Sequence, residues 1–189
     1  MTVRRLGLFG GTFDPPHFGH VAALRAAAQT GRYELIEVTV AGDPYQKAAR
    51  GFLHDAAQRL AMARAAFGEL ELVAISEREI HRRGPSYTID TVRELLEEVD
   101  EVDLIVGADL ASEIDSWHEA RRLCELVRVG VVPRPGGSLA VAPGWRSYEI
   151  PMEPVDLSSS FIRALDPTSE ILRNLIPSAV IPLFESFAE

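Results

Sequence analysis

The stretch VRRLGLFGGTFDPPHFGHVAALRAAAQT, residues 3–30, joins a predicted strand to a predicted helix through a glycine-rich turn. Residues 3–9 predict the strand, and the alanine-rich residues 18–30 predict the helix. The alternation continues along the chain, with strands predicted over 34–40, 70–75, 102–107 and 127–132 and helices over 55–67, 88–99 and 116–125. Because alternating strands and helices are joined by crossovers, the sequence predicts an α/β fold with a doubly wound parallel sheet and helices on both faces.

Beyond Val132 the pattern weakens. A proline- and glycine-rich stretch predicts a loop, and the C-terminal residues predict a small helical part interrupted by Pro177 and Pro182. No linker or repeat divides the chain, so we expect one domain over residues 1–189. In a Rossmann-like sheet of this kind, ligands bind at the carboxyl ends of the strands, near the point where the strand order reverses.

Composition narrows the class of protein. Apolar residues make up 47% of the chain and charged residues 25%, as in globular proteins. No apolar run is long enough to span a bilayer, and MTVRRLGLFGG lacks the sustained apolar region of a signal peptide. The net charge of −9 argues against binding to nucleic acid. A single cysteine, Cys124, fits a reducing cytoplasm. Because the net charge is negative, any anionic ligand must be small and held by local groups.

The turn after the first strand has the character of a phosphate site. Gly10 and Gly11 allow backbone N–H groups to approach a ligand, and the next helix offers its positive N-terminal end to an anion. The turn has no GxGxxG pattern, which weakens a dinucleotide-binding interpretation, and no GK[ST], which removes a P-loop.

His17 and His20 stand three residues apart at the start of the predicted helix, on one face. They are candidates for metal ligands, for hydrogen-bond donors to phosphate, or for ordinary packing residues. The pair lacks the glutamate of HExxH and a third nearby ligand, so donation to phosphate is favoured over metal binding.

Further along, LSSSFIR (157–163) combines capping serines with Arg163 and predicts a second anion site, although a plain helix cap is the alternative. Asp109 follows Gly107 at a strand end, where an acidic side chain caps a helix or accepts from a ribose. Trp117 is either a core residue or a stacking partner for a planar ligand.

Several segments resemble, in order, the bacterial nicotinate (or nicotinamide) mononucleotide adenylyltransferases, members of the HxGH nucleotidyltransferase superfamily. They are GGTFDPPHFGH (10–20), GPSYTIDTVREL (84–95), LIVGADLASEIDSWHEARRL (104–123), RPGG (134–137) and LSSSFIR. The resemblance covers most of the chain.

The resemblance implies a role for each matching residue. The catalytic group contacts the phosphates and comprises His17, His20, Lys47 and Arg163. The ATP-binding group comprises Gly10, Gly11, Thr12, Phe13, Gly107, Asp109, Ser159 and Ser160. The group that binds the mononucleotide comprises Tyr87, Thr88 and Trp117. No residue is assigned to a metal.

The resemblance also implies the reaction, in which ATP and nicotinate mononucleotide give nicotinate adenine dinucleotide and pyrophosphate in NAD biosynthesis. Since the nucleophile is an anionic phosphate, no general base is needed, and Mg²⁺ is expected to be bound mainly through ATP. Three alternatives remain open: a nicotinamide mononucleotide substrate, a phosphopantetheine adenylyltransferase, and a nucleotide sensor without catalysis. The oligomeric state is not predicted.

Overall fold

The fold is built on one six-stranded sheet. The computed structural model describes residues 4–44 and 54–187. Within these ranges the strands are β1 (Arg5–Gly11), β2 (Leu35–Val40), β3 (Val73–Ser76), β4 (Glu101–Gly107), β5 (Val127–Val132) and β6 (Ser147–Glu149). All neighbours pair in parallel, in the order β3-β2-β1-β4-β5-β6. The chain runs outward from β1 to β3 and then returns to β4 on the other side of β1. The predicted doubly wound parallel sheet is confirmed, and its strand order reverses between β1 and β4.

Helices cover both faces of this sheet, as predicted. The α-helices of the described ranges are α1 (Phe18–Gln29), α2 (Ala56–Phe67), α3 (Arg78–His81), α4 (Thr88–Leu96), α5 (Ala108–Ala111), α6 (Ala120–Leu126), α7 (Ser159–Arg163) and α8 (Ile181–Phe187). Side chains of β1 alternate between the two cores, because successive strand residues point to opposite faces. Phe9 packs with α1 and α2, whereas Leu6 and Leu8 pack with α4 and α6.

The C-terminal part packs against α2 and forms a third apolar cluster. Met62 of α2 is fully buried. It packs with Ile162 of α7, with Phe184 of α8 and with Leu172, which lies between these two helices in the sequence. The small helical part predicted at the C-terminus is therefore present. Within residues 4–44 and 54–187, no helix is both long and apolar enough to cross a membrane. The single domain over 1–189 stays a prediction.

Some element boundaries differ from those predicted. Leu72 has a positive φ of 59°, which interrupts the extended backbone, so β3 begins at Val73 rather than at residue 70. The helix predicted over 116–125 is divided, because Trp117 is extended and Glu119 is left-handed, and α6 begins only at Ala120. Among the described residues, the short elements α3, α5 and β6 and the 3-10 helix Ile114–Ser116 were not predicted.

Candidate active site

A cleft of about 390 Å³ opens at the carboxyl edge of the sheet, where the strand order reverses. Its lining includes most of the predicted site: Gly10, Gly11, Thr12, Phe13, His17, His20, Thr88, Gly107, Asp109, Trp117, Ser159, Ser160 and Arg163. Residues as far apart in the sequence as Gly10 and Arg163 therefore meet around one cavity. Lys47 lies outside the described residues, so its predicted role is still a prediction.

The glycine turn has one open side and one closed side. A Cβ at Gly10 would meet no atom within 4 Å, so this position presents bare backbone to the cleft. A Cβ at Gly11 would lie 2.7 Å from the Phe13 ring. Phe13 has a φ of 51° and is almost fully buried, with its ring 5.7 Å from that of Phe9. The Phe13 side chain thus packs against the turn and also lines the cleft, and its contact with ATP stays a prediction.

The two histidines are held against each other. Their rings stack with centroids 3.7 Å apart, and the His17 backbone N–H donates to Nδ1 of His20 at 3.2 Å. Because Nδ1 of His20 accepts a hydrogen bond, the neutral ring carries its proton on Nε2, which makes that atom a donor. Phe13 and Phe67 approach the His20 ring edge-on, at 5.2 and 6.4 Å. These contacts therefore set both the tautomer and the orientation of the His20 ring.

The glycine between the histidines accounts for part of their spacing. A Cβ at Gly19 would lie 3.0 Å from both Nδ1 and Cε1 of His17. Since real Cβ contacts are seldom so short, a larger residue at position 19 would displace the His17 ring by a few tenths of an ångström from where it stacks on His20. His17 also occupies the N-cap position of α1, with extended backbone angles.

The serine-rich segment caps a helix and also contacts the glycine turn. The Ser158 hydroxyl accepts from the Phe161 N–H at 3.2 Å, which is the capping role. Ser159, one residue later, donates to the Pro15 carbonyl at 2.9 Å. The start of α7 is thereby fastened to the loop that precedes His17.

Arg163 strengthens the same junction. Its Nη1 donates to the Asp14 carbonyl at 2.5 Å, and Nη2 donates to the Ser160 hydroxyl at 3.3 Å. The Asp14 carboxylate is fully buried, accepts from the His54 backbone N–H at 3.2 Å and hydrogen-bonds Nδ1 of His54. Arg163 therefore adds positive charge beside the turn, and its position is set by Asp14.

Arg59 joins the loops that follow β1 and β2. Its guanidinium donates to the carbonyls of Thr12 at 3.1 Å, Ala41 at 2.6 Å and Gly42 at 3.3 Å. Its Nε donates to the His54 carbonyl at 3.0 Å. Burial lowers the pKa of Arg59, but an arginine starts so far above neutrality that it keeps its charge. One buried cation thus satisfies four carbonyls behind the cleft.

The mononucleotide end of the predicted site is only partly as expected. Thr88, the first residue of α4, and the half-buried Trp117 both line the cleft. The Tyr87 ring instead stacks on His118 with centroids 4.0 Å apart, and Tyr87 is not among the described residues that line the cleft. Whether Tyr87 contacts the mononucleotide stays a prediction.

The predicted adenosine end of the site brings Gly107 and Asp109 together at the end of β4. A Cβ at Gly107 would lie 2.5 Å from Oδ1 of Asp109, an exposed carboxylate that would have to turn away. Arg134 also lines the cleft, with Nε 3.9 Å from the same Oδ1, and it donates to the Val155 carbonyl at 3.1 Å. Within the described ranges, no three His, Cys, Asp or Glu side chains are arranged to hold a metal ion.

The charged residues Asp14, Glu79 and Arg134 of the cleft wall, and Arg59 behind it, were not among the site residues predicted from the sequence. Arg134 follows β5 within RPGG, and its place just beyond a parallel strand was a usable signal. Asp14 lies between two motif residues, which is a weaker signal. Arg59 and Glu79 lie in ordinary charged stretches, and the sequence gives no sign that their side chains are buried.

Comparison with known proteins agrees with this geometry. The cytidylyltransferase-like family model matches residues 8–165. A protein of Methylibium petroleiphilum described as a probable nicotinate-nucleotide adenylyltransferase is 38% identical over 187 residues, covering 94% of this chain and 86% of the relative. One with the same description from Exiguobacterium sibiricum is 32% identical over 185 residues, covering 97% of each chain.

Solved structures show the same fold. The nicotinic acid mononucleotide adenylyltransferase of Plasmodium falciparum, complexed with NaAD, aligns with a TM-score of 0.80 over 97% of this chain and 98% of its own. Its sequence identity is 18%, so this likeness concerns the fold alone. By its family match and its curated relatives, the chain belongs to the cytidylyltransferase-like family and, within it, to the nicotinate-nucleotide adenylyltransferases.

Proposed function

We propose that this protein transfers the adenylyl group of ATP to nicotinate mononucleotide and releases pyrophosphate, a step of NAD biosynthesis. The observation that carries the proposal is the histidine pair at the point where the strand order reverses, with Nε2 of His20 set as a donor by the His17 N–H. The curated relatives, described as probable nicotinate-nucleotide adenylyltransferases, support the same reaction.

The reaction is a displacement at the α-phosphorus of ATP. An oxygen of the mononucleotide 5′-phosphate forms the new P–O bond, and the bond from the α-phosphorus to the bridging oxygen of the β-phosphate breaks. The electron pair of that bond leaves with pyrophosphate. Because the attacking oxygen is already anionic, the protein needs only to align the two phosphates and stabilise the charge that develops between them.

The described residues supply these two contributions. The bare backbone at Gly10 lets the phosphates approach closely, the N-terminal end of α1 contributes its positive partial charge, and His20 offers Nε2–H. Arg163 and Arg134 add positive charge at the cleft wall, which offsets locally the net charge of −9. Lys47 is proposed to bind the triphosphate as well.

Mg²⁺ is proposed to accompany ATP. Mg²⁺ prefers oxygen ligands and keeps several waters, so we expect the ion to be held mainly by triphosphate oxygens and water. Such an ion neutralises phosphate charge when bound. Chelation with EDTA is expected to abolish product formation, and turnover that persists after chelation would contradict the proposal.

The cytoplasm is the proposed location. The single cysteine supports it, because Cys124 has no second cysteine in the chain with which to form a disulfide, and its thiol donates to the Gly144 carbonyl at 3.3 Å.

The test of the proposed reaction is incubation with Mg-ATP and either pyridine mononucleotide, with chromatographic detection of the dinucleotide and enzymatic detection of pyrophosphate. We expect both products from nicotinate mononucleotide, with a higher kcat/KM than for the nicotinamide form. Phosphopantetheine serves as the control acceptor and is expected to give none. Absence of product from both pyridine mononucleotides would refute the proposal.

A further inference from the structure

Glu79 of α3 is a buried acid at the edge of the cleft, and the displacement described above makes no use of it. The residue is 7% exposed and lines the cavity together with Ser86 and Thr88. Burying a carboxyl group is costly unless its oxygens receive hydrogen bonds. Its partners therefore indicate what Glu79 holds in place.

The first partner fastens Glu79 to α4. The Thr91 hydroxyl donates to Oε1 of Glu79 at 2.7 Å and accepts from Nη2 of Arg82 at 3.0 Å. The same Nη2 donates to the Tyr87 carbonyl at 3.3 Å. Glu79, Thr91 and Arg82 thus form a chain of hydrogen bonds behind the residues that open α4.

The second contact is with Ser86, which lines the cleft beside Glu79 and, with Thr91 and Arg82, opposes the rise that burial causes in the pKa of Glu79. Ser86 is also tied to the loop after β2: its N–H donates to the Asp43 carbonyl at 3.0 Å, and its hydroxyl accepts from the Asp43 N–H at 3.1 Å.

The backbone of Glu79 makes a close contact with that same loop. A Cβ at Gly42 would lie 2.2 Å from the Glu79 carbonyl oxygen, so only glycine permits the approach. The side chain and the backbone of Glu79 therefore connect two walls of the cleft, residues 42–43 and residues 86–88.

The connected walls lie at the end of the cleft where Thr88 and Trp117 are found, which is the predicted site of the pyridine ring. Nicotinate and nicotinamide mononucleotides differ there by a carboxylate against a neutral carboxamide. Donors alone suit the carboxylate, whereas the carboxamide needs a donor and an acceptor. The N–H groups that open the first turn of α4 are donors alone, and Glu79 holds that helix in place through the Thr91 hydroxyl.

We propose that Glu79 is a positioning residue that sets the preference for a carboxylate over a carboxamide on the pyridine ring. It holds residues 86–88 through the Thr91 hydroxyl on one side and through residues 42–43, which bind Ser86, on the other. This inference rests on the proposed function. When the link to Thr91 is lost, the start of α4 shifts, its N–H groups move away from the carboxylate, and the preference for the carboxylate weakens.

The test is calorimetric binding of the two mononucleotides in the absence of ATP, together with steady-state kinetics. We expect Glu79→Gln to raise the Kd and KM for nicotinate mononucleotide about tenfold. The ratio of kcat/KM for nicotinate mononucleotide to kcat/KM for nicotinamide mononucleotide is expected to fall about tenfold. The KM for ATP and the Tm are expected to stay close to wild type, which separates this role from a general loss of structure.

Substitutions at Thr91 give a second series in which Glu79 is retained. Thr91→Val removes the hydroxyl at nearly constant volume, and it is expected to lower the ratio in the same direction. Thr91→Ser keeps the hydroxyl and is expected to restore a ratio within about twofold of wild type. Glu94→Gln is the control, because Glu94 binds Arg82 at 2.9 Å on the more exposed side of α4. It should leave the ratio unchanged.

The outcomes are distinguishable. A wild-type protein that binds neither mononucleotide and makes no dinucleotide would refute the proposed function and this inference with it. A wild-type protein that prefers nicotinate mononucleotide while Glu79→Gln and Thr91→Val keep the same ratio would refute the role of Glu79 alone. A parallel rise of the KM values for ATP and mononucleotide would also refute it, since that pattern indicates general distortion.

Discussion

Position 19 shows how much of the site depends on a single atom. A methyl group there would lie 3.0 Å from the His17 ring, and that ring stacks on His20 with centroids 3.7 Å apart. A displaced His17 also moves its own N–H, which donates to Nδ1 of His20. The glycine is therefore part of the arrangement that orients the Nε2 donor.

Gly19→Ala is expected to lower kcat by up to about tenfold, because the His17 ring must shift by a few tenths of an ångström and a misplacement of about 1 Å costs about a hundredfold. The measurement is steady-state turnover, with circular dichroism to verify that the helix remains. Arg25→Ala, an exposed substitution on the same helix, is the matched control and should leave kcat unchanged. A kcat of Gly19→Ala equal to that of wild type would show that the His17 ring keeps its position despite the added methyl group.

At the scale of elements, the cleft depends on loops that are joined from behind. Arg59 of α2 donates to the carbonyls of Thr12, Ala41 and Gly42, and α7 is fastened to the glycine turn through Ser159 and Pro15. The carboxyl ends of the strands supply the position of these loops, and the hydrogen bonds fix their separation.

Arg59→Met is expected to lower the free energy of unfolding by about 3 kcal/mol or more, because each buried carbonyl left without a donor costs about 1–3 kcal/mol. Urea denaturation measures the change. Arg64→Met is the control on the same helix, where an exposed pair with Glu77 should contribute no more than about 1 kcal/mol. Equal losses in the two variants would contradict the proposed role of Arg59.

Elements that were predicted and elements that were missed differ in size and in the range of their contacts. The alternation from β1 through β5 predicts the sheet, because long apolar segments must be buried on both faces. The three residues of β6, Ser147–Glu149, are too short to show a period, and they become a strand only by pairing with β5. Local sequence therefore predicts the long buried strands but not the short edge strand β6.

The same distinction separates the predicted site residues from the missed ones. His17, His20 and Ser159 stand in compact motifs next to a strand or helix end, so spacing along the chain indicates their chemistry. Asp14 meets His54 across 40 positions, and Glu79 meets Thr91 across a turn whose path the sequence does not reveal. Such pairs become apparent only once the sheet has brought their elements together.

At the scale of the whole molecule, one buried acid links stability to pH. Asp103 of β4 is 1% exposed and accepts from the Tyr148 hydroxyl at 2.8 Å. Burial raises the pKa of Asp103, and the hydrogen bond from Tyr148 offsets this only in part. Above the pKa of an unfolded aspartate, about 3.9, the native state therefore holds a proton that the unfolded chain has lost.

It follows that Asp103 lowers the stability of the protein as pH rises from that value through the raised native pKa. Asp103→Asn removes this contribution while keeping an oxygen that can accept from Tyr148. Urea unfolding of both proteins between pH 4 and 8 is expected to show the variant gaining stability over wild type as pH rises, until a plateau is reached. A difference that is constant, or that falls with pH, would contradict the assignment.

The account as a whole depends on His20 as the donor to the transferring phosphate. The most direct test is the kcat of His20→Ala with Mg-ATP and nicotinate mononucleotide, measured beside wild type and accompanied by a Tm. We expect kcat to fall about a hundredfold or more, the usual effect of losing one donor to a transition state, with the Tm close to wild type. A folded variant whose kcat stays within about threefold of wild type would contradict it.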